Sequence, residues 1–240
     1  YETTGQATDI ANLIERILVG GYPEVIGKSA RFRKKWFEGY ISTILQRDIQ
    51  DLAHIEGLRE IPRLLNVLAA RTSTLLNTAA LSRDVALAAS TLKRYSSLLE
   101  AIFLVHFVPA WTSNMSKRII KSPKILLSDT GLACSLLGLD AAYLQNNPTL
   151  LGQLLESFVT LELLKQISWS ETEPRLYHYR SQRHSEVDIV LEGPAGRVLG
   201  IEVKLTQTLD AKAFKGLKEL EEDLGKNFHK GIVLYTGAQV

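Results

Sequence analysis

The chain has 240 residues, of which 45% are hydrophobic and 22% charged, a composition that excludes a disordered protein and allows one large folded domain or two smaller ones. The net charge is only +2, but residues 57–125 contain ten Lys or Arg against three Asp or Glu, so this segment carries +7 and the rest of the chain −5. A basic middle segment indicates a polyanionic partner.

The cysteine count and the apolar stretches bear on the cellular compartment of the chain and on whether it enters a membrane. Cys134 is the only cysteine, which excludes an intrachain disulfide and is typical of a reducing cytoplasm. The first residues lack the pattern of a signal peptide, and the longest apolar stretch, Leu98–Trp111, is interrupted by Glu100 and His106. We therefore expect a cytoplasmic chain without a membrane segment and, because it starts with Tyr1, a fragment or a processed product.

Residues 1–56 are predicted to form a helical segment. Ala7–Val19 is amphipathic and is followed by a Gly-Gly-Tyr-Pro turn, and Arg31–Leu52 is a second long helical stretch. Gly27 is followed by Lys and Ser, as at the end of a P-loop. That loop requires a glycine five positions earlier, where the chain has Tyr22, so we predict no nucleotide site here.

Residues 57–127 are predicted to form a winged helix-turn-helix. The pattern comprises three helices, a strand, a basic loop and a second strand, at Leu58–Arg71, Ala79–Ala88, Thr91–Ala101, Ile102–Trp111, residues 112–123 and Lys124–Leu127.

In such a fold the third helix presents its first residues to base edges and its basic residues to phosphates. The predicted DNA contacts are therefore Ser90, Thr91, Lys93 and Arg94 on this helix and Lys117, Arg118 and Lys121 in the basic loop. The alternative is a winged helix that serves only in protein packing. The local charge of +7 favours DNA.

Residues 128–240 are predicted to form an αβββαβ domain. The helices and strands are expected at Leu150–Ile167, Arg175–Arg180, Val187–Leu191, Val198–Leu205, Asp210–Leu224 and Gly231–Tyr235. Asp129 precedes a short helical stretch, for which it is the predicted N-cap.

The chemical motif of this domain lies in a predicted β-hairpin. Asp188 is followed fourteen positions later by Glu202, and Lys204 follows Glu202 on the same face of the strand. The Gly-Pro-Ala-Gly sequence at 193–196 provides the turn. Carboxylate and carbonyl oxygens are the ligands of Mg²⁺, so Asp188, Glu202 and the Val203 carbonyl predict a magnesium site beside a lysine that can orient water or hold a phosphate.

This acid, acid-x-Lys pattern resembles the PD-(D/E)XK nuclease superfamily, also called restriction endonuclease-like, whose core is αβββαβ. The resemblance implies Asp188, Glu202 and Lys204 as catalytic residues and a further glutamate from the first helix. Glu156 occupies that place and would join the metal ligands, while Glu162 is a weaker candidate on the same helix. The chain departs from the family in having Val187 before the aspartate, a change that removes no ligand.

The whole chain also resembles the part of a prokaryotic AAA-type ATPase that follows its nucleotide-binding core. The residues that carry this likeness are Gly20–Glu24, Tyr40, Arg47–Ile49 and Lys124–Leu132, followed by the nuclease motifs. It implies an ATPase domain upstream, a winged helix and a nuclease-like domain of unknown function. ATP would bind only to the upstream domain, so we expect no ATPase activity from this fragment.

Two functions follow from the sequence as expectations. The first is a DNA-binding, Mg²⁺-dependent endonuclease module of such an ATPase, hydrolysing phosphodiesters. The second is a catalytically inactive DNA-binding or protein-interaction module that regulates the ATPase. The five histidines are dispersed and predict no zinc site. The sequence leaves oligomerisation open.

Overall fold

The computed structural model describes residues 9–49, 60–114, 118, 121–181, 183 and 185–237. In these ranges the chain combines helices with a two-stranded and a four-stranded sheet, which confirms the predicted α/β class. No helix in the described ranges is both long enough and apolar enough to cross a bilayer.

The described part of the N-terminal segment, residues 9–49, contains the α-helices α1 (Ile10–Val19) and α2 (Ala30–Ile44). Each begins at a side chain that caps its first turn, because Asp9 and Ser29 accept hydrogen bonds from free backbone amides. Helix α2 continues as a π-helix at Leu45–Ile49, so the predicted long second helix changes its geometry there. Its last predicted residues, 50–52, lie outside the described residues.

An aromatic cluster holds the turn between α1 and α2. The ring of Tyr22 packs against those of Trp36, Phe37 and Tyr40, with centroids 5.2, 5.8 and 5.0 Å away. The Tyr22 hydroxyl donates to the Tyr40 hydroxyl at 3.0 Å, and burial raises the pKa of Tyr22. The Gly-Gly-Tyr-Pro turn therefore has a packing role.

Within residues 60–114 and 121–127, which the structure describes, the chain forms three helices and an antiparallel strand pair. Their bounds are α3 (Glu60–Ala70), α4 (Thr78–Val85), α5 (Ala89–Ala101), β1 (Val105–Val108) and β2 (Lys124–Leu127). Strand β1 is shorter than predicted, because Phe103 adopts a positive φ of 57° and turns the chain directly after α5. Helix α5 begins at Ala89, two residues before the predicted start at Thr91, so Ser90 lies in its first turn and Ala88 is the N-cap.

From residue 128 onward, the described residues form three α-helices, three strands, a further α-helix and a final strand. They are α6 (Thr130–Leu137), α7 (Ala141–Gln145), α8 (Pro148–Ile167), β3 (Arg175–Arg180), β4 (Glu186–Glu192), β5 (Val198–Lys204), α9 (Lys215–Leu224) and β6 (Phe228–Tyr235). The strand order is β3-β4-β5-β6, in which β5 and β6 are parallel and the other pairs antiparallel.

The four-stranded sheet is covered on both faces. Leu154 of α8 belongs to the main hydrophobic core together with Ile189 and Ile201 of the sheet. Leu217 and Leu220 of α9 belong to a second core on the other face. The main core also includes buried residues of α1 and α3, so the N-terminal helices pack continuously with the sheet domain.

Asp129 joins the N-terminal helices to the sheet domain. Its carboxylate accepts from the Leu132 amide at 2.8 Å, which confirms the predicted N-cap of α6, and from the Gly21 amide at 2.6 Å. Gly131 allows this close approach, because a Cβ at that position would overlap the backbone carbonyl of Val19.

Replacing Gly131 by alanine is expected to lower the free energy of unfolding by about 1–3 kcal/mol, because the added methyl group forces α1 and α6 apart. Chemical denaturation measures this. The matched control is Gly152→Ala in α8, where the Cβ meets no atom within 4 Å. That change should be neutral or stabilise by up to about 1 kcal/mol. Equal effects of the two substitutions would contradict the close approach.

Candidate functional site

A β-bulge shapes the strand that carries Asp188. The register between β3 and β4 shifts between Tyr177 and Tyr179, so that His178 faces two residues, Asp188 and Ile189. An extra residue of this kind rotates the following side chains relative to strict alternation. The bulge therefore changes the face of the sheet on which the side chains of β4 from Asp188 onward lie.

The distribution of the neighbours confirms this rotation. Val187 and Val190 both belong to the second core beside α9, whereas Ile189 belongs to the main core beside α8. Without the bulge, Val187 and Val190 would point to opposite faces. Asp188 lies at the point where the alternation breaks, and its carboxylate reaches Lys124 and the backbone of β5.

Three carboxylates converge from one helix and two strands. Glu156 projects from α8, Asp188 from β4 and Glu202 from β5, with side chains only 15%, 12% and 9% exposed. Asp188 Oδ2 accepts from the Val203 amide at 2.9 Å, and Glu202 Oε2 accepts from the Asp188 amide at 3.4 Å. These reciprocal bonds fix the two carboxylates of the hairpin relative to each other.

Two lysines pair with these three carboxylates. The Lys204 ammonium donates to Glu202 Oε1 at 2.5 Å, and its side chain remains 38% exposed. The Lys124 ammonium lies 2.6 Å from Glu156 Oε1 and 3.4 Å from Asp188 Oδ1, with a side chain only 7% exposed. We call these five residues the carboxylate–lysine cluster.

Lys124 is the member of the cluster that sequence reasoning did not select. The available signal was a lysine at the start of a short strand whose other residues, Ile125, Leu126 and Leu127, are all apolar and buried. If the lysine that begins such a strand is also buried, its charge needs an acidic or hydrogen-bonding partner.

Burial and mutual repulsion shift the pKa values of the cluster. Burial, together with the neighbouring Asp188, raises the pKa of both Glu156 and Glu202 to about 7. Burial alone would lower the pKa of Lys124, but Glu156 and Asp188 raise it to about 12. The ammonium is therefore charged, and the cluster favours further positive charge.

The predicted magnesium ligands do not form a metal cage in this conformation. No group of three or more His, Cys, Asp or Glu side chains is arranged to hold a metal ion within the ranges that the structure describes. Lys124 contacts two of the three expected ligands. Glu162, the weaker candidate, pairs with Lys165 at 2.6 Å.

His178 connects β3 to the segment that follows β1. Its backbone amide donates to the Pro109 carbonyl at 3.0 Å, and its own carbonyl accepts from the Trp111 amide at 2.6 Å. Its ring contacts the Ser122 carbonyl at 3.1 Å. Burial and the nearby charge of Lys124 lower the pKa of His178 to about 4, so the ring is neutral and structural.

The predicted DNA-contact residues of α5 lie on an accessible face. Ser90, Lys93 and Arg94 are exposed and Thr91 is half-buried, which leaves the first turns of this helix open to a partner. Lys117 of the basic loop lies outside the described residues.

Arg118 of the basic loop is engaged within the protein. Its guanidinium donates to both carboxylate oxygens of Glu192, at 2.6 and 2.7 Å, and its side chain is 12% exposed. It also lies 5.3 and 4.9 Å from the ring centroids of Trp111 and Tyr177. This residue joins the loop to β3 and β4, and its DNA contact stays a prediction.

Lys121 lines a cavity of about 440 Å³ at the end of β3, shared with Arg180 and Arg183. The two arginines also pair with acidic side chains, at 3.3 Å to Glu186 and 3.8 Å to Glu222. Sequence reasoning missed both arginines, although Arg180 ends β3 and Arg183 lies in the connection to the strand that carries Asp188. Glu219 and Asp223 line the same cavity, so it combines three basic with two acidic side chains beside the predicted loop.

Comparison with known proteins gives two families. Residues 10–143 match the family described as domain of unknown function DUF8612, and residues 151–240 match domain of unknown function DUF4143. Similar curated proteins are Uncharacterized protein Rv2008c of Mycobacterium tuberculosis and Uncharacterized protein Mb2031c of Mycobacterium bovis. Each is 35% identical over 193 residues, which cover 80% of this chain and 42% of the relative.

No solved structure matches the chain. The chain spans about two fifths of the length of the curated relatives that it matches. Since the first match covers more than half of its residues, the chain belongs to the DUF8612 family and carries a DUF4143 region after it.

Proposed function

We propose that this chain is the DNA-binding, metal-dependent nuclease-like module of a larger AAA-type ATPase. The observation that carries the proposal is the convergence of Glu156, Asp188, Glu202 and Lys204 from separate elements. The element order helix, three strands, helix, strand around them supports a PD-(D/E)XK-like domain over residues 128–240.

The chemistry of the cluster suits a phosphodiester. A divalent cation on the carboxylates would supply an activated water and offset the phosphate charge. The half-exposed Lys204 ammonium is the group of this chain that would meet the anionic substrate, and Glu202 holds it in place. Asp188 and Glu202 are themselves oriented by backbone amides, so their positions do not depend on bound ligand.

The proposed DNA surface begins on α5. Three helices followed by an antiparallel pair support a winged helix over residues 57–127, with Ser90, Thr91, Lys93 and Arg94 facing the duplex. Lys121, together with Arg180 and Arg183, extends the basic surface toward the sheet. Arg118 would act by holding the loop against Glu192, which positions Lys121 for a phosphate.

The proposal of an ATPase rests on the family to which the last region belongs and on the length of the relatives. DUF4143 is typically found in AAA-ATPase-associated proteins, and the relatives extend well beyond the segment that this chain matches. ATP would bind to that further part, and the helical segment 1–56 would be a remnant of the ATPase lid that precedes the winged helix. We propose no ATP site within this chain.

A second candidate function is a catalytically silent DNA-binding or protein-interaction module that regulates the same ATPase. The specific observation in its favour is Lys124, whose ammonium pairs with Glu156 and Asp188 without a metal ion. Under this alternative the chain binds DNA or a protein partner and cleaves nothing.

Nicking of supercoiled plasmid DNA by the purified chain, with Mg²⁺ or Mn²⁺, separates the two candidates. We expect nicked product that requires the divalent ion, and a rate at least about 100-fold lower for Asp188→Asn and for Glu202→Gln. Glu171→Gln, in an exposed loop, is the matched control and should cleave normally. Cleavage that persists in both site variants would refute the nuclease assignment.

A further inference from the structure

A buried ammonium occupies the centre of the carboxylate–lysine cluster. Lys124 comes from β2, outside the four-stranded sheet, and its side chain is 7% exposed. It pairs with Glu156 at 2.6 Å and with Asp188 at 3.4 Å. Placing an ammonium out of water is costly unless its partners compensate, so this arrangement is a built feature of the fold and not a surface ion pair.

Its two partners are ligands expected for the divalent ion. An ammonium and a divalent cation are attracted by the same carboxylate oxygens. Two cations bound to the same oxygens would lie close together and repel each other strongly where water is excluded. Lys204 also pairs with an expected ligand, but its side chain is 38% exposed and, within the described residues, its ammonium contacts the single carboxylate of Glu202. Lys124 is buried and contacts two of the expected ligands, so the stronger competition concerns Lys124.

We propose that Lys124 is a tethered cation that stands in the place of the divalent metal ion, so that the site is closed until Lys124 leaves it. This inference rests on the proposed function, since it concerns the metal of that same site. It separates two states of the chain. In the metal-free state the Lys124 ammonium pairs with Glu156 and Asp188, and in the metal-bound state that ammonium lies elsewhere.

The surroundings of Lys124 connect this exchange to the proposed DNA-binding segment. Lys124 pairs in the sheet with Val108, and the next residue, Ile125, bonds through its backbone to the turn after α3. From that turn, the Thr72 and Ser73 hydroxyls reach Ser157, beside Glu156, at 2.9 and 2.8 Å. Metal binding and movement of β2 are thus mechanically coupled across one interface.

The test measures Mn²⁺ binding, by the loss of the free-ion signal in electron paramagnetic resonance, to the wild type, Lys124→Met and Lys218→Met. Methionine keeps the length of the side chain and removes the charge. Lys218, exposed on α9, controls for the loss of one positive charge. We expect Lys124→Met to bind Mn²⁺ at least about tenfold more tightly than the other two. Equal affinity in the three proteins, or binding in none, would overturn the proposal.

A second measurement uses the unaltered protein, in case Lys124→Met does not fold. An amine-reactive reagent, read by mass spectrometry, should modify Lys124 slowly without metal and at least about five times faster with saturating Mn²⁺, because the displaced ammonium becomes accessible. Lys218 should label equally in both samples. Labelling of Lys124 that does not change at saturating Mn²⁺ contradicts the exchange.

The outcome can be separated from that of the proposed function. If Lys124→Met gains Mn²⁺ affinity while the wild type cleaves no DNA, the tethered cation is supported and the nuclease proposal fails. If the wild type cleaves DNA with Mn²⁺ and Lys124→Met shows no gain, the nuclease proposal stands and the tethered cation is wrong.

Discussion

Replacing Lys204 by methionine is expected to lower the rate of DNA cleavage at least about 100-fold while the affinity for DNA changes by less than about threefold. DNA binding involves many groups, so the loss of one ammonium changes the affinity little. For cleavage this ammonium matters more, because it is the half-exposed cation of the cluster and lies 2.5 Å from Glu202. Its loss removes the charge that would meet the phosphate and leaves Glu202 without its partner. Single-turnover cleavage and fluorescence anisotropy on the same duplex measure the two quantities.

Lys218→Met is the control for this change, since it removes the same charge from an exposed position of α9. It should cleave at the wild-type rate. A Lys204→Met protein that also cleaves at the wild-type rate would show that the ammonium takes no part in the reaction. A loss of affinity equal to the loss of rate would assign Lys204 to binding.

Replacing Lys93 and Arg94 together by alanine is expected to weaken DNA binding about tenfold or more at 0.1 M salt. The logarithmic dependence of affinity on salt should also decrease by about 2, because two phosphate contacts are lost. Both side chains are exposed on the first turns of α5, where a recognition helix would contact the duplex. Anisotropy titrations across a series of salt concentrations measure both effects.

The matched control is Lys34→Ala with Lys35→Ala on α2, which removes the same total charge from exposed positions of another helix. This pair should change the salt dependence by much less. If the two double variants weaken binding equally, the attraction is a property of net charge and α5 has no special role.

The carboxylate hairpin could be predicted from the sequence because its information is local. Alternation along β5 places Glu202 and Lys204 on one face, and the turn at 193–196 brings β4 alongside. The Asp129 cap was predictable for the same reason, since the cap and its helix are adjacent in the chain. Such patterns do not depend on the rest of the fold.

The bulge at Asp188 and Ile189 could not be predicted, because it exists only in the pairing of β4 with β3. Two consecutive residues of β4 face His178, and the order of apolar residues in the sequence does not predict this change of register.

The role of Lys124 could not be predicted either, because its partners lie 32 and 64 positions away along the chain. Contacts of this range depend on how β2 packs on α8.

Arg118 shows the limit of reasoning from charge alone. Its place in a basic loop predicts a phosphate contact, and the sequence contains no sign that Glu192, 74 positions later, lies against it. The start of α5 at Ala89 was similarly hard to predict, because the N-cap residue, Ala88, forms no side-chain hydrogen bond to the first turn. Helix ends without a capping side chain leave little trace in a sequence.

The most direct test of the central claim is a Mn²⁺ titration of cleavage of an end-labelled DNA duplex by the wild-type chain, with DNA binding measured in the same samples. We expect no cleavage without the ion, cleavage that rises with Mn²⁺ to a plateau, and complete arrest when a chelator is added. DNA that is bound by the chain but remains intact at every Mn²⁺ concentration would contradict the assignment of Glu156, Asp188, Glu202 and Lys204 as a cleavage site.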